Sequence, residues 1–402
     1  MKKILILGGS RYIIPVIEKA HDLGVFVITC DYLPNNIAHK YSDKYFNISI
    51  INKDEVLRAA IKEKIDGIIS FACDPGVITA AYVADKMGLP TVGPYESVYI
   101  LQNKNLFRSF LRDNGFNVPF NQTFSNKESV HAISRNISYP VIVKPVDSAG
   151  SKGVSVVNEL QSLDHALDLA FSNSISKKII IEEFLEYEGH PSDADSFVYN
   201  GKFLYFGLDS QLFDSKATNP FTPAAYYWPS TISDKNSQYL KAELERLFSL
   251  LKLNTAILNI EVRVAKNGKP YIMEVSPRGG GNRLTEMVRY GTGQDFIEEY
   301  LKFSLGISAV SINKIKQLPF DGFWTEIILH SDKDGIFKDV DIDKCLLPYL
   351  IEKDIWVKQG DLVNKFTGAN QTIGTLVFKF KEKNQMLLFS DEIDEYIKVI
   401  VE

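Results

Sequence analysis

Short apolar runs alternate with helical patterns in the first hundred residues, and no other feature of the sequence constrains the fold as strongly. The runs are rich in branched side chains and have the length of buried strands. The helical patterns, residues 13–24 and 77–88, each end at a glycine. Strands that alternate with helices form a parallel, doubly wound sheet, so we expect an α/β domain over residues 1–98. The candidate strands are KILIL (3–7), VFVITC (25–30) and GIISF (67–71).

The turn after the first strand tests whether this domain binds a dinucleotide. It reads GGSRYIIP, in which Gly8 and Gly9 are not followed by the spacing G-x-G-x-x-G. Asp31 follows the second candidate strand, where an acidic residue could hold a ribose. The incomplete glycine pattern disfavours an NAD-dependent oxidoreductase, and the two glycines are interpreted as a simple turn.

Beyond about residue 100 the pattern changes to paired strands. Asn-Gly at 200–201 and again at 267–268 separates apolar runs, which is a strong hairpin signal. The last hundred residues contain short strands with glycine turns. We therefore expect an α+β domain over residues 99–305, with a lid subdomain at about 115–185, and a small β-rich domain over residues 306–402.

A glycine-containing loop lies between two candidate strands in YPVIVKPVDSAGSKGVSVV (139–157). A loop between strands offers no helix N-terminus, but successive backbone N–H groups can bind a phosphate, and the loop can open and close. Lys144 precedes it on the first strand, an arrangement also found in protein kinases. The sequence has no HRD or DFG motif, which disfavours a protein kinase. The loop residues in question are Gly150, Ser151, Lys152 and Gly153.

Acidic residues follow on three later strands. IEEFL ends a strand at Glu182 to Leu185, where the backbone from Glu183 onward could bind adenine and either Glu188 or His190 could bind the ribose. Glu261 and Glu274 lie on strands that we expect to be antiparallel neighbours, so their carboxylates can share a divalent cation, and oxygen ligands of this kind suit Mg²⁺. Arg278 could stabilise a transferring phosphoryl group.

In their order and spacing these motifs resemble the ATP-grasp family, over about residues 1–305. The resemblance implies an ATP-grasp fold in which the N-terminal domain looks like that of phosphoribosylglycinamide synthetase, carboxyaminoimidazole ribonucleotide synthase and biotin carboxylase. It also implies ATP and Mg²⁺ as cofactors, with Mn²⁺ as an alternative metal. The implied catalytic residues are Arg278 and Lys144. The implied ATP contacts are Lys104, Lys144, Gly150, Ser151, Lys152, Gly153, Glu182, Glu183, Phe184, Leu185 and Glu188 or His190.

Two further positions are compared with the family pattern. Ser276 in EVSPR stands where the family usually has an asparagine as third metal ligand beside Glu261 and Glu274, and Asn282 is an alternative to it. Lys216 is similar to a phosphate-contacting lysine of D-alanine–D-alanine ligases.

The resemblance implies an ADP-forming ligase that joins a small carboxylate to an amine, similar to phosphoribosylglycinamide synthetase. An amino-acid or peptide ligase with the same core is one alternative. An ATP-binding protein that has lost catalysis is another, and the presence of Glu261, Glu274 and Arg278 weighs against it. A homo-oligomer is left open.

Composition excludes several other classes of protein. The net charge of −5 and the lack of a basic tract argue against a nucleic-acid partner. The N-terminal apolar run stops at Gly8, too soon for a signal peptide, and no apolar stretch is long enough to span a bilayer. Three scattered cysteines fit a reducing compartment. We therefore expect a cytoplasmic protein without membrane contact.

Overall fold

The N-terminal part of the chain forms the predicted parallel sheet. The computed structural model of the protein describes residues 1–148, 151–187, 189–307 and 315–402. In the sheet the strand order is β3–β2–β1–β4, and every neighbouring pair is parallel. The α/β prediction for this region is confirmed. Its elements are β1 (Lys3–Leu7), α1 (Ile14–Asp22), β2 (Phe26–Asp31), β3 (Lys44–Asn47), α2 (Lys53–Glu63), β4 (Gly67–Ser70) and α3 (Asp74–Met87).

Two helices, α4 (Tyr95–Leu101) and α5 (Lys104–Asp113), lead from this sheet into a second, antiparallel sheet with the strand order β5–β8–β6–β7, which we call the lid sheet. The predicted strand–loop–strand is confirmed, because β6 and β7 pair in antiparallel register from Val141 opposite Val157. The lid elements are β5 (Asn121–Phe124), α6 (Lys127–His131), β6 (Val141–Pro145), β7 (Ser155–Val157), α7 (Leu163–Asn173) and β8 (Ile179–Glu183).

A third sheet, which we call the central sheet, has the antiparallel order β10–β9–β13–β14. Both predicted Asn-Gly turns connect its hairpins, and Asn200, Gly201 and Gly268 have the positive φ values of 50°, 73° and 77° that such turns need. The elements from here to α10 are β9 (Ser192–Tyr199), β10 (Lys202–Tyr205), β11 (Ser210–Phe213), β12 (Pro223–Trp228), α8 (Asp234–Leu250), β13 (Ala256–Val264), β14 (Pro270–Ser276), α9 (Leu284–Thr292) and α10 (Phe296–Ser304).

The C-terminal part is rich in strands, as predicted. Two of its sheets are described, one ordered β18–β16–β20 and the other β11–β12–β15–β19–β17. The larger sheet includes β11 and β12, so it crosses the boundary expected near residue 305, and the three-domain division remains a prediction. The elements are β15 (Phe323–Leu329), β16 (Gly335–Ile342), β17 (Leu350–Ile355), β18 (Leu362–Val363), β19 (Gly374–Phe380), α11 (Lys383–Asp391), α12 (Ile393–Tyr396) and β20 (Ile397–Val401).

A single apolar cluster joins the N-terminal sheet to the central sheet. It includes Ile17 of α1, Leu244 of α8, Ile257 of β13 and Leu301 of α10, all with no exposed surface. Each fully buried aliphatic side chain typically contributes about 1.5–3 kcal/mol, so this cluster fixes the two sheets relative to each other. None of the helices described is long and apolar enough to cross a bilayer.

Candidate active site

A cavity of about 490 Å³ lies between the lid sheet, the central sheet and the carboxyl end of β4. Most of the predicted site residues line this cavity, although they come from distant parts of the sequence. They are Lys104, Lys144, Ser151, Lys152, Glu182, Glu183, Phe184, Leu185, Glu261, Glu274 and Arg278. The fold therefore assembles one candidate site from the lid loop, the hinge after β8 and the β13–β14 hairpin.

Lys144 is held by a buried carboxylate beneath the lid. Its Nζ lies 2.5 Å from Glu182 Oε2, and Arg108 Nε lies 2.6 Å from Glu182 Oε1. Burial opposes ionisation of Glu182, but the Arg108 and Lys144 cations outweigh burial and lower its pKa to about 2. Glu182 therefore stays a carboxylate and fixes Lys144, whose own pKa is lowered by burial and by the nearby Arg108 and Lys104 cations.

Arg108 is a site residue that the sequence prediction missed. It lies one turn after Lys104 on α5, so both side chains share one face of the helix. The four-residue spacing of Lys104 and Arg108 could have indicated from the sequence that both face the site. The partner of Arg108, however, is 74 positions away in the sequence, so the ion pair itself could not be seen there.

The hinge after β8 is predicted to hold adenine through its backbone. Two of its N–H groups are already used, because Glu183 N donates to Phe120 O at 2.8 Å and Phe184 N donates to Pro140 O at 3.2 Å. Leu185 N–H makes no hydrogen bond to a residue that the structure describes. Leu185 is therefore the hinge donor that is left for a base, and it also lines the cavity.

Glu261 and Glu274 are directly opposite each other on β13 and β14, as predicted. Each is paired with a cation: Glu274 Oε2 lies 3.1 Å from Lys104 Nζ, and Glu261 Oε1 lies 3.2 Å from Arg263 Nη2. Among the residues described, no group of three or more His, Cys, Asp or Glu side chains has a metal-binding arrangement. Two facing carboxylates still fit Mg²⁺, which commonly uses one or two protein carboxylates and completes its shell with phosphates and water.

Ser276 does not join these carboxylates. Its hydroxyl donates to Asp74 Oδ1 at 2.7 Å and accepts from Gln102 Nε2 at 3.0 Å, and the residue has no exposed surface. It does not line the cavity. The Ser276 hydroxyl is thus committed to other partners, and its role as third metal ligand stays a prediction. The alternative, Asn282, lines the cavity.

Arg278 is anchored at the predicted reaction centre by Asp74, another residue that the sequence prediction missed. Its Nε and Nη2 donate to the two oxygens of Asp74, both at 2.8 Å. Burial opposes ionisation of Asp74, but the Arg278 guanidinium and the Ser276 hydroxyl outweigh it and hold the pKa of Asp74 below its usual value. This fork joins the start of α3 to the end of β14, and both of its residues line the cavity.

Asp193 and Asn259 are also new to the site. Asp193 on β9 is opposite Glu261, and Asp195 is opposite Asn259 in the same ladder. Asn259 Nδ2 donates to Asp193 Oδ1 at 2.7 Å and to Asp195 Oδ1 at 3.2 Å. Burial, and then the Glu261 charge, raise the pKa of Asp193 well above its usual value. The signal in the sequence was the alternation of acids in SDADS, whose register against β13 was unknown.

Lid loop residues reach across the cavity to the opposite wall. Ser151 has a positive φ of 57°, and its Oγ donates to Phe221 O at 2.7 Å. Gly153 does not line the cavity, and a Cβ there would come 2.8 Å from Asn173 Cβ. Gly153 therefore turns the chain where no side chain fits. Gly150 lies outside the described residues.

Two of the predicted ATP contacts lie away from the cavity. Lys216 and His190 do not line the cavity. Lys216 Nζ pairs with Asp394 Oδ2 at 2.6 Å, and both side chains are mostly exposed. The His190 ring packs edge-on against Tyr227 with 5.7 Å between ring centroids. The ATP contacts of Lys216 and His190 stay predictions that the cavity lining does not support, and Glu188, the other ribose candidate, lies outside the described residues.

The turn after β1 has no feature of a dinucleotide site. Asp31 is buried, and its Oδ1 accepts the Leu33 N–H at 2.9 Å. Gly9 packs so closely that a Cβ there would lie 2.6 Å from Asn36 Cβ. The glycine is explained by this close approach, which agrees with the interpretation of a simple turn.

A hinged lid sheet over a central sheet, with cations and carboxylates facing one cavity, is the architecture of an ATP-grasp domain. Residues 137–286 match the ATP-grasp domain family. The sequence is also similar to that of the carbamoyl phosphate synthase large chain, C-terminal section, of Aquifex aeolicus, with 23% identity over 321 residues. The match covers 76% of this chain and 58% of that protein, so the chain spans little more than half the length of this relative.

Solved structures agree on the fold over the whole chain. Phosphoribosylglycinamide synthetase from Anaerococcus prevotii has a TM-score of 0.76 at 21% identity, covering 100% of both chains. The L-amino acid ligase from Bacillus licheniformis has a TM-score of 0.80 at 20% identity, covering 100% of this chain and 99% of that one. The protein carries an ATP-grasp domain and adopts the ATP-grasp fold, as the sequence predicted.

Proposed function

We propose that the protein is an ADP-forming ligase that activates a carboxylate as an acyl phosphate and passes the acyl group to an amine. The observation that carries this proposal is the cavity, in which Lys104, Lys144 and Arg278 face the Glu261–Glu274 pair. Cations and a carboxylate pair gathered at one point suit the β- and γ-phosphates, where charge develops during γ-phosphoryl transfer. The similarity to carbamoyl phosphate synthase and to the two solved ligases supports the same conclusion.

Different residues of the cavity would bind the adenine, the phosphates and Mg²⁺. Leu185 N–H would hold the adenine, while Lys104, Lys144, Ser151 and Lys152 would bind the phosphates, with Lys144 kept in place by Glu182. Glu261 and Glu274 would hold Mg²⁺, which supplies charge neutralisation to the phosphates when bound. For these carboxylates to bind Mg²⁺, Lys104 would have to release or share Glu274, and Arg263 would have to release or share Glu261, since these pairs are now in contact.

The bond changes follow from this arrangement. A carboxylate oxygen of the acid substrate attacks the γ-phosphorus, the bond to the bridging oxygen breaks, and ADP leaves. The amine nitrogen then attacks the acyl carbon, inorganic phosphate leaves, and the nitrogen loses a proton. Arg278, fixed by Asp74, would stabilise the negative oxygens at the point of transfer.

Two versions of this ligase remain as proposals. One is similar to phosphoribosylglycinamide synthetase and the other is an amino-acid or peptide ligase; solved structures of both kinds share the fold. A protein that binds ATP without catalysis would not need the Arg278–Asp74 fork, which holds a guanidinium beside the cavity. An oxidoreductase is disfavoured by the buried, hydrogen-bonded Asp31.

Isotope transfer tests the proposal. Acid and amine pairs are screened for ADP release in the presence of ATP and Mg²⁺, and the active acid is then supplied with oxygen-18 in its carboxylate. We expect the label in inorganic phosphate and ADP as the sole nucleotide product. Formation of AMP and pyrophosphate, or unlabelled phosphate while the acid is consumed, would show that no acyl phosphate forms.

A further inference from the structure

Among the described residues, Asp193 lacks the cationic partner that four other acidic residues of the cavity have. Glu182, Glu261, Glu274 and Asp74 each lie within 3.2 Å of a lysine or arginine nitrogen. Asp193 lines the same cavity and forms no ion pair with any residue that the structure describes. The hydrogen bond from Asn259 is neutral and uses only Oδ1. Asp193 therefore keeps its second carboxyl oxygen, Oδ2, for a group that enters the cavity.

A second side chain offers an unused acceptor to the same space. Asn282 lines the cavity, is only 8% exposed, and its Oδ1 has no hydrogen-bond partner among the described residues. Its Nδ2 donates to the Tyr226 hydroxyl at 3.2 Å, which fixes the orientation of the amide. A buried polar atom without a partner is costly, so natural sites rarely leave one unless a ligand or water satisfies it.

We propose that Asp193 and Asn282 form a subsite for the primary ammonium group of a substrate. An ammonium group has three donors and no acceptor, which matches a carboxylate oxygen and an amide oxygen that both lack donors. The inference rests on the ligase activity proposed above and narrows its substrate. The acid that is phosphorylated is of the amino-acid class, with its ammonium group at Asp193 and its carboxylate toward Arg278.

The charge pattern of the cavity supports this orientation. Asp193 lies on β9, opposite Glu261, and Arg278 lies near it, because the chain after β14 turns back to β9, where Gly280 N–H donates to Asp195 Oδ1 at 2.9 Å. A zwitterion between these two side chains would place its positive end on the unpaired carboxylate and its negative end beside the guanidinium and the phosphates. A simple carboxylic acid would leave Asp193 and Asn282 Oδ1 unsatisfied, so the site would discriminate against it.

The competing role for Asp193 is that of a third metal ligand beside Glu261. The amide N–H of Asn259 occupies Asp193 Oδ1, so a metal could use only Oδ2. Asp193 belongs to no group of three or more His, Cys, Asp or Glu side chains arranged to hold a metal ion among the described residues. The two roles differ in what they do to nucleotide binding, so one variant separates them.

The test is a binding comparison with matched probes. Each common amino acid and the hydroxy acid with the same side chain, such as alanine and lactate, is added to the full-length protein with Mg²⁺ and ADP, and binding is measured by thermal shift and calorimetry. We expect at least one amino acid to bind and its hydroxy acid to bind about 30-fold more weakly or not at all. Asp193→Asn should weaken that amino acid by about 30-fold or more, because a buried charge loses its partner.

Controls keep each outcome decisive. Asp193→Asn should leave the affinity for Mg²⁺ and ADP unchanged, and Asp22→Asn, which removes a charge that is 73% exposed, should change neither affinity. If Asp193→Asn does not fold, Asn282→Gly serves instead, since glycine tolerates the φ of 51° at this position and removes the acceptor. It should weaken the amino acid in the same direction.

Four results overturn the subsite: equal binding of amino and hydroxy acids, no amino acid bound, unchanged amino-acid affinity in Asp193→Asn, or loss of Mg²⁺ and ADP affinity in that variant. The last result would make Asp193 a metal ligand. ADP release is measured in parallel to separate this inference from the ligase proposal. ADP release with a hydroxy acid refutes the subsite and supports the ligase. Binding of an amino acid that requires its ammonium group, without any ADP release, supports the subsite and refutes the ligase.

Discussion

Replacing Glu182 by glutamine is expected to destabilise the lid sheet, because this carboxylate neutralises two cations beneath it. Both of its oxygens are occupied, by Arg108 Nε at 2.6 Å and Lys144 Nζ at 2.5 Å, and Glu182 is 1% exposed. Its pKa of about 2, against 4.5 for an ordinary glutamate, corresponds to about 3 kcal/mol of stabilisation. Breaking a buried ion pair on one side typically costs about 3–5 kcal/mol, which agrees.

The pH dependence has a definite sign. Because the pKa of Glu182 is lower in the folded protein, its contribution is fully present above pH 4.5 and is lost as the pH falls toward 2. The wild-type protein and Glu182→Gln should therefore differ most near neutral pH and converge in acid. Urea unfolding at pH 7, with hydrogen exchange of β6 and β8 as the local readout, measures the difference. Glu183→Gln is the matched control, since Glu183 is the next residue on β8 and is exposed.

The same variant tests the charge on Lys144. Burial and the neighbouring Arg108 and Lys104 already lower the pKa of Lys144, and Glu182 opposes that shift. Without Glu182 the lysine loses its proton at lower pH, so affinity for a non-hydrolysable ATP analogue should fall more steeply with rising pH than in the wild type. If Glu182→Gln is as stable as Glu183→Gln and binds the analogue equally well at every pH, the buried ion pair has no such role.

Three further variants have direct expectations. Glu274→Gln should lower turnover by about 10² or more while the protein still folds, and wild-type turnover at saturating Mg²⁺ would remove Glu274 from the metal site. Lys144→Ala should weaken the ATP analogue about tenfold or more in calorimetry, whereas Lys216→Ala, which changes a lysine outside the cavity, should leave affinity unchanged; equal effects would contradict this. Gly153→Ala should cost about 1–3 kcal/mol more in urea unfolding than Gly268→Ala, because both have positive φ but only a Cβ at Gly153 meets other atoms, at 2.8 Å; equal costs would refute the steric argument.

Local signals in the sequence predicted much of the fold and part of the site. Branched apolar runs located β1 and β2, and the two Asn-Gly pairs located the hairpins of the central sheet. The β13–β14 hairpin predicted that Glu261 and Glu274 lie on neighbouring strands, but their direct opposition depends on a β-bulge between Glu261 and Val262, since the pairing set by the turn would place Met273 opposite Glu261. These features depend on residues close in the sequence, which is why the sequence could predict them.

Other features depend on partners far away in the chain. Asp74 and Arg278 are 204 positions apart, and no local pattern marks them as a pair. Ser276 has the right position for a metal ligand, but its hydroxyl bonds Asp74 because α3 lies against the end of β14. The sequence around Lys216 is similar to that of a phosphate-contacting lysine of D-alanine–D-alanine ligases, yet in the structure Lys216 pairs with Asp394 on the surface. Tertiary packing decides these contacts, so sequence reasoning alone could not.

The sheet that crosses the expected domain boundary has a consequence for how the chain is made. Strand β12 pairs with β15, placing Tyr226 opposite Glu326, so β12 must wait for about a hundred more residues to leave the ribosome before its neighbour exists. Until then Tyr226 and Trp228, now buried against β15, face water. Since Tyr226 lines the cavity, a nascent chain that ends before β15 has the lysines of the cavity but lacks the strand that supports Tyr226 in the cavity wall. Truncations placed near residue 305 should therefore need chaperone help and aggregate, rather than yield a minimal domain.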